Sequence, residues 1–331
     1  MFFGNILTKD TRRSENSNKS LSLKRYFIAL MLLTALAAFA HEPITPIPLR
    51  IPYDLAKARL GQRLFFDPIL SRDRKISCVS CHDFAHGGAD PRNVSLGAGG
   101  IKGRMQSPTV LNAVFNIAQF WNGRAKTLED QAMGPIHNPV EMRMSSNEVI
   151  SRLTNNPFYH QAFTRINGRS SITIMDVANV IAEYEKTLIT PNSPFDRYLR
   201  HEALLSASAT RGYEFFKRTG CASCHNGVII GGNSYQKIGV ITPYPRKPHT
   251  DDRYAITGNQ RDKNVFKVPT LRNIALTAPY FHDASAKTLS DAIHIMSRHN
   301  VGIKPSKQEE DDLIAFLNSL TAPLPETAKK L

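Results

Sequence analysis

The chain contains four cysteines, and all of them fall in two copies of one five-residue pattern, Cys78-Val-Ser-Cys81-His82 and Cys221-Ala-Ser-Cys224-His225. C-x-x-C-H is the pattern that tethers a c-type haem. Two thiols a helical turn apart add to the two vinyl groups of one porphyrin, and the adjacent imidazole then lies under the iron as its proximal ligand. Other uses of such cysteines fit worse. A zinc site needs the two C-x-x-C halves to converge, yet 143 residues separate His82 from His225, far more than zinc-ribbon spacings allow. A redox dithiol does not require a histidine after its second cysteine, and here one follows twice. Each motif is therefore expected to carry one covalently attached haem c, and a core organised around two large flat cofactors constrains the fold more than any other feature.

The N-terminus reads as an export signal. Lys24 and Arg25 supply a positive flank, Phe27 to Ala37 the apolar middle, and Ala38-Phe39-Ala40 a small-x-small cleavage site. The apolar run is short for a spanning helix, although the long polar leader before Lys24 keeps an uncleaved anchor as the alternative. Cleavage after residue 40 leaves His41 as the first residue and places the mature protein in the periplasm. With 331 residues, 41% of them hydrophobic, the chain is large enough for two domains with real cores, which excludes a disordered or collagen-like chain. Removing residues 1–40 takes away six Lys/Arg and two Asp/Glu, so the net charge falls from +14 to +10. No Lys/Arg block of nucleic-acid type is present, and no nucleic acid is expected as a partner. The basic surface suits encounter with an acidic protein or an anionic membrane face, and equally a generic solvated surface.

Between the haem motifs, Thr190-Pro-Asn-Ser-Pro194 reads as a turn-rich break. Before it, Val177, Val180, Ile181 and Tyr184 predict an amphipathic helix over 175–187. After it, Ser208 or Thr210 is expected to cap a helix that runs through Arg218 to the second haem motif. Leu55, Leu60, Leu64 and Phe65 predict an equivalent helix over 53–66 before the first. Residues 287–297 and 308–320 also look helical. Strand-like alternation is scarce, and Gly/Pro-rich loops are plentiful, notably 97–103 and 231–248. The expectation is a mostly α protein with long loops: a first haem domain over 41–193 and a second over 194–331, whose tail is free to pack back on the first.

Axial ligands decide what a haem can do. A haem used only for electron transfer has both positions filled, whereas one that binds peroxide keeps a position open or able to open. Met296 is the only methionine after Thr190, which makes it the candidate sixth ligand of the second haem. It also continues the apolar stripe Leu289, Ala292, Ile293, so spacing alone leaves a ligand and a packed core residue equally open.

Phe120-Trp-Asn-Gly-Arg-Ala125, Gln131-Ala-Met-Gly-Pro135, Glu141-Met142, Leu271-Arg-Asn-Ile-Ala-Leu-Thr-Ala-Pro-Tyr-Phe-His282 and both haem motifs resemble the bacterial di-haem cytochrome c peroxidases, over about residues 50–320. The resemblance implies two cytochrome c-like helical domains, with a peroxidatic haem on His82 and an electron-transferring haem on His225 and Met296. It implies hydrogen peroxide as substrate and a small electron-donor protein, a cytochrome c or a copper protein, as partner; the sequence leaves a homodimer open. Trp121 matches the tryptophan that carries electrons between the haems, a residue that by itself reads more often as core. Gln131 and Glu141 match the pair that faces the peroxide. Glu141 would take a proton as peroxide binds and return it to the departing oxygen, and Gln131 would hold the peroxide by hydrogen bonds. Without the resemblance Glu141 would be an ordinary surface acid.

The chain departs from the family pattern at two places. Where many members have a histidine that blocks the peroxidatic iron, sixteen residues past the first proximal histidine, this chain has Ala98 in Ser95-Leu-Gly-Ala-Gly99. Alanine cannot ligate iron. The first haem is therefore expected to be open, the alternative being substitution by His86. A loop so close in sequence to His82 is also expected to lie far from the opposite face. The second departure concerns a calcium ion held between the domains: an asparagine precedes Ser-Pro-Thr in the family and Gln106 stands here, while the carbonyls of Thr277 and Pro279 remain able to contribute. An open haem is also a feature of the related MauG, which oxidises a tryptophan pair on a partner protein, but MauG has tyrosine where this chain has Met296. A MauG-like oxidase and a non-catalytic di-haem electron carrier are the rival readings.

Overall fold

A computed structural model describes residues 42–247 and 250–330. The expected export signal and His41 lie outside the described residues. Among the described residues five α-helices come first: α1 (Leu55–Phe66), α2 (Leu128–His137), α3 (Ser146–Thr154), α4 (Pro157–Asn167) and α5 (Ile174–Lys186). Five follow: α6 (Pro194–Leu199), α7 (Ala207–Arg218), α8 (Tyr254–Thr257), α9 (Leu289–Met296) and α10 (Lys307–Ser319). The described strands, β1 (Tyr235–Lys237) and β2 (Val265–Lys267), form one antiparallel ribbon in which Tyr235 faces Lys267. The rest is loop and short 3-10 turns, as the composition suggests.

Each haem motif is preceded by an amphipathic helix that crosses a later helix at a glycine. Helix α1 starts where the Asp54 carboxylate accepts the N–H groups of Ala56 and Lys57, a cap worth about 1 kcal/mol. It buries Leu60, Leu64 and Phe65 against Val177, Val180, Ile181 and Tyr184 of α5, in a first core that also takes in α2, α3 and α4. Helix α7 buries Tyr213, Phe215 and Phe216 against Leu313, Phe316 and Leu317 of α10, in a second core that includes Phe195 and Ile293. A Cβ on Gly61 would stand 1.8 Å from the Val180 carbonyl oxygen, and one on Gly212 would stand 1.9 Å from that of Asp312. Only glycine allows either crossing to close.

Some boundaries differ from the sequence reading. Helix α7 is capped by Ser206, not by Ser208 or Thr210. Helix α9 starts after Thr288 and runs on into a π-turn over Ser297–Val301. In the turn-rich stretch at 190–194, Thr190 and Ser193 are buried whereas Asn192 and Pro194 are exposed. Its serine caps α6, which explains why proline, asparagine and serine stand there without making a flexible joint.

The polypeptide also repeats itself. Pro108-Thr109, Asn112, Phe120, Ala125-Lys-Thr-Leu128 and Asp130 recur 161 residues later as Pro269-Thr270, Asn273, Phe281, Ala286-Lys-Thr-Leu289 and Asp291. The backbone repeats with them. Asn112 and Asn273 are left-handed, with φ of 61° and 60°, as are Phe120 and Phe281, with φ of 67° and 69°. A bridge pairs Gln119 with Ala125 and another pairs Tyr280 with Ala286, and Thr127 and Thr288 cap the helices that follow. The two copies meet at Thr190, whose hydroxyl oxygen accepts the side-chain amides of both Asn112 and Asn273 at 2.8 Å.

The chain ends bind these cores crosswise. Near the N-terminus, Ile44 packs in the second core and the Ile47 N–H donates to Asp196. Buried Arg272 pairs with Asp196 at 2.9 Å and donates to the Thr45 carbonyl. Near the C-terminus, Ala328 packs in the first core. Gln62 of α1 and Tyr184 of α5 both donate to the Thr327 carbonyl. Replacing Thr190 with the isosteric valine strands two buried amide donors, and denaturant unfolding is expected to show a loss of roughly 2–4 kcal/mol.

Candidate haem sites

Each C-x-x-C-H segment folds into one tight 3-10 turn. The N–H groups of Cys81 and His82 both donate to the Cys78 carbonyl, at 3.1 and 3.0 Å, and those of Cys224 and His225 to that of Cys221, at 3.3 and 3.0 Å. This winds the two thiols and the imidazole of each motif onto one turn. The His82 Nδ1–H donates to the Gly88 carbonyl at 3.2 Å, and the His225 Nδ1–H to that of Ile230 at 3.3 Å. These bonds fix the tautomer and leave Nε2 with the lone pair that a metal requires. Burial lowers the pKa of both imidazoles, that of His225 to about 4, so both are neutral at neutral pH. Phe65 stands by His82 and Phe216 by His225, with ring centroids 6.3 and 6.4 Å apart. Cys78 packs against the first core and Cys221 against the second.

Cys78, Cys81 and His82 open on a cavity of about 430 Å³, whose wall includes Trp121, Gln131 and Glu141. A pocket with two thiols and a tautomer-fixed imidazole along one wall suits a covalently held porphyrin. Gln131 comes from α2, and Glu141 from the turn after it. Asn138 Nδ2 donates to Glu141 Oε1 at 2.6 Å. Burial raises the Glu141 pKa, opposed by that hydrogen bond and by the charge of Arg124. Arg124 also lines the cavity, its guanidinium 3.4 Å from the centroid of the Phe120 ring. Neither Asn138 nor Arg124 was singled out by the sequence. Both follow from where the left-handed turn at Phe120 and the end of α2 bring the chain.

The loop at 95–103 corrects one expectation. It is not remote from the Glu141 side of the cavity, because the Ala98 N–H donates to the Glu141 carbonyl at 2.8 Å. A Cβ on Gly97 would stand 2.1 Å from the Val140 carbonyl oxygen. Gly99 donates to Asp73, and Gly97 and Gly103 close the loop on itself. Closeness in sequence to His82 misled, since the sixteen residues past it, through the turn at Phe84–His86 and the bends that follow, suffice to bring the chain to the wall formed by Val140 and Glu141. His86 points elsewhere: its side chain is 47% exposed and bonded to Asp83 at 2.7 Å.

Trp121 sits where the two repeats meet. Its indole N–H donates to the Gln106 carbonyl at 2.8 Å, the Gln106 N–H donates to the carbonyl of His282, and the Lys267 N–H donates to the carbonyl of Trp121. Met296 leaves the apolar stripe it shares in sequence: Leu289 and Ile293 pack in the second core, whereas Met296 packs against the cluster of Ile238, Tyr244 and Phe266, as Trp121 does. In the repeat, Met296 stands at the position of Pro135, which lines the cavity at His82. Gln106 is buried, with its side-chain amide donating to the Asp90 carbonyl, and Thr277 follows the 3-10 turn at Ile274–Leu276, two residues before Pro279.

One buried acid in the cavity wall went unread. Glu185 is 4% exposed, and it follows Ala178 and Ile181 along the buried face of α5, where an acid is itself a signal. Burial, reinforced by the charge of Glu129, raises its pKa to about 8. The unfolded chain releases this proton near pH 4.5 and the folded protein keeps it to about pH 8. Stability therefore falls as pH rises through that window. Glu185→Gln is expected to flatten this slope, so that its denaturant midpoint matches the wild type below pH 4.5 and exceeds it at alkaline pH.

The comparisons with known proteins agree with this geometry. A family profile described as "Di-haem cytochrome c peroxidase" matches residues 55–204. Cytochrome c551 peroxidase of Nitrosomonas europaea is 44% identical over 309 residues, which cover 93% of this chain and 92% of that relative. Cytochrome c peroxidase Ccp of Escherichia coli is 46% identical over 287 residues, 85% of this chain and 61% of that longer protein. Among solved structures, a MauG-like protein associated with microbial copper homeostasis superposes with a TM-score of 0.74 at 29% identity, covering 86% of this chain and 94% of that one. A likeness that runs through both haem motifs and nearly the whole length means that the chain belongs to the di-haem cytochrome c peroxidase family, whose members hold two haem groups.

Proposed function

We propose that the protein reduces hydrogen peroxide to water in the periplasm, each turnover consuming two electrons from a small redox protein and two protons. One haem would be attached covalently at each C-x-x-C-H turn. The observation that carries this reading is the cavity at His82, where Glu141 and Gln131 stand together in the wall and neither Ala98 nor Pro135 offers an atom that could ligate iron. When bound, the haem at His82 supplies the iron that holds peroxide and the electrons that split its O–O bond.

Glu141 is the proton-handling group. Its carboxylate takes a proton from the incoming peroxide and returns it to the departing oxygen, and its burial-raised pKa brings it closer to the pH at which both transfers are favourable. Asn138 holds Oε1 in place, the Arg124 charge favours the ionised form, and Gln131 orients peroxide by hydrogen bonds. Electrons would arrive on the side of His225 and Met296 and cross by Trp121. The repeat supports Met296 as a ligand: a thioether stands at the position where the first copy has a proline. His/Met ligation raises a haem's potential, which suits the site that receives electrons first. A basic exterior favours an acidic donor. A calcium ion on the oxygens of Gln106, Thr277 and Pro279 belongs to the same reading.

The likeness to a MauG-like structure favours one second reading, oxidation of a protein or organic substrate with peroxide as oxidant. Poor turnover with every cytochrome or copper-protein donor, beside efficient oxidation of such a substrate, would select it. For the peroxidase, Glu141→Gln is expected to lower steady-state turnover by about 10²–10⁴-fold with both haem spectra intact; unchanged turnover removes Glu141 from the mechanism. The fully oxidised protein, never reduced beforehand, is expected to show a high-spin ferric EPR signal that peroxide consumes. Two low-spin signals indifferent to peroxide would contradict an open first haem.

A further inference from the structure

Trp121 begins a chain of ring contacts that leads through the second repeat. It meets His282 edge-on, with centroids 6.2 Å apart, and Phe266 at 6.5 Å, and those two rings are stacked on each other at 4.2 Å. His282 meets Tyr244 at 6.1 Å, and Tyr244 meets His299 at 5.3 Å. His282 and Tyr244 are buried, whereas His299 is only partly so. The Tyr244 hydroxyl lies 3.2 Å from each oxygen of the Asp283 carboxylate and 2.6 Å from Ser285 Oγ. Lys247, largely exposed, pairs with the same carboxylate at 3.3 Å.

A phenol gives up an electron readily only when its proton can leave at the same moment, and a carboxylate already accepting the O–H bond is a base in place. Burial works against the Asp283 charge, but the hydrogen bond from Ser285 and the charges of His282 and Lys247 hold its pKa below the ordinary value. The first repeat lacks this pairing, since the residue equivalent to Asp283 is Asn122, which cannot take a proton.

We propose that Tyr244 is a redox-active tyrosine that discharges oxidising equivalents along Trp121–His282–Tyr244 when peroxide reacts and no electron donor is present. The inference rests on the peroxidase reading above, with hydrogen peroxide as the oxidant. One electron passes from Tyr244 through the His282 and Phe266 contacts to fill the vacancy at Trp121, and the hydroxyl proton moves to Asp283. The products are a neutral tyrosyl radical and a protonated carboxyl group, and an external reductant such as ascorbate restores both. The route gives an undelivered oxidising equivalent an exit away from the cavity that holds Glu141.

The test is EPR of the di-haem holoprotein frozen after peroxide is added without donor. An organic radical signal is expected, narrowed when the protein is made with ring-deuterated tyrosine. It is expected to be lost in Tyr244→Phe and weakened in Asp283→Asn, with Tyr244→Phe also losing its haem absorbance after fewer additions of peroxide. A radical that ignores tyrosine deuteration, or survives Tyr244→Phe, overturns the assignment, and the deuterated wild type decides the matter even if a variant loads haem poorly. If peroxide leaves the haem spectrum unchanged, the peroxidase reading itself fails. Flash oxidation of the same holoprotein with a ruthenium photosensitiser then tests the relay alone: a tyrosyl signal absent from Tyr244→Phe upholds it, and no tyrosyl signal in the wild type overturns it.

Discussion

The Thr190 hydroxyl accepts two amide hydrogen bonds, from Asn112 and Asn273, and the relation between the two halves of the protein depends on that shared acceptor. A hydroxyl oxygen has two lone pairs, and both are used. Each asparagine is itself in a left-handed conformation and starts the turn that ends in Phe120-Trp121 or Phe281-His282. The main-chain N–H of Asn112 is held by Leu188 and that of Asn273 by Leu320, just beyond the ends of α5 and α10. Helix, asparagine and aromatic turn therefore form one rigid path in each half, and the two paths meet on one oxygen atom. Fixing that meeting point helps fix how Trp121 faces His282.

On this duplicated frame the chemistry has diverged at a few positions. Gln131 has Ala292 as its counterpart, Pro135 has Met296, Trp121 has His282, and Asn122 has Asp283. The first copy has a glutamine and a proline where the second has an alanine and a thioether, and the second has an acid beside a buried tyrosine where the first has an amide. Two C-x-x-C-H turns of nearly identical local geometry thus stand in different surroundings, because the distinction lies in the side chains around each turn and not in the turn itself.

Much of this was legible in sequence, for identifiable physical reasons. The two C-x-x-C-H turns were readable because a motif of fixed spacing repeats within one chain and each copy winds onto a single 3-10 turn. Helices α1, α5, α7, α9 and α10 were readable because each presents an apolar stripe to a core. What escaped depends on tertiary placement. The Ala98 loop reaches the Glu141 wall through backbone hydrogen bonds that no pattern announces, and Asn138 and Arg124 converge on Glu141 only because α2 ends where it does. Within the 190–194 stretch, which has the composition of a linker, Thr190 and Ser193 are buried, since the first is held by Asn112 and Asn273 and the second by the α6 cap. Glu185 and the 161-residue repeat left visible traces, an acid on an apolar stripe and a recurring Ala-Lys-Thr-Leu, which call for comparing the chain with itself.

The crosswise attachment of the chain ends bears on how the protein is made. Residues Ile44 to Ile47 belong with a core assembled from sequence far downstream, and Thr327 to Lys329 complete one whose helices were synthesised long before. The first half cannot be finished as a vectorially emerging chain, because it waits for residues 327–329 to arrive, whereas the second meets a strap that already exists. Were a haem to be joined at Cys78 and Cys81, their turn would stay accessible until residues 327–329 had docked. Cutting the gene between the halves would leave each fragment with a strap meant for the other, so excision of a single-haem unit would have to exchange the two ends.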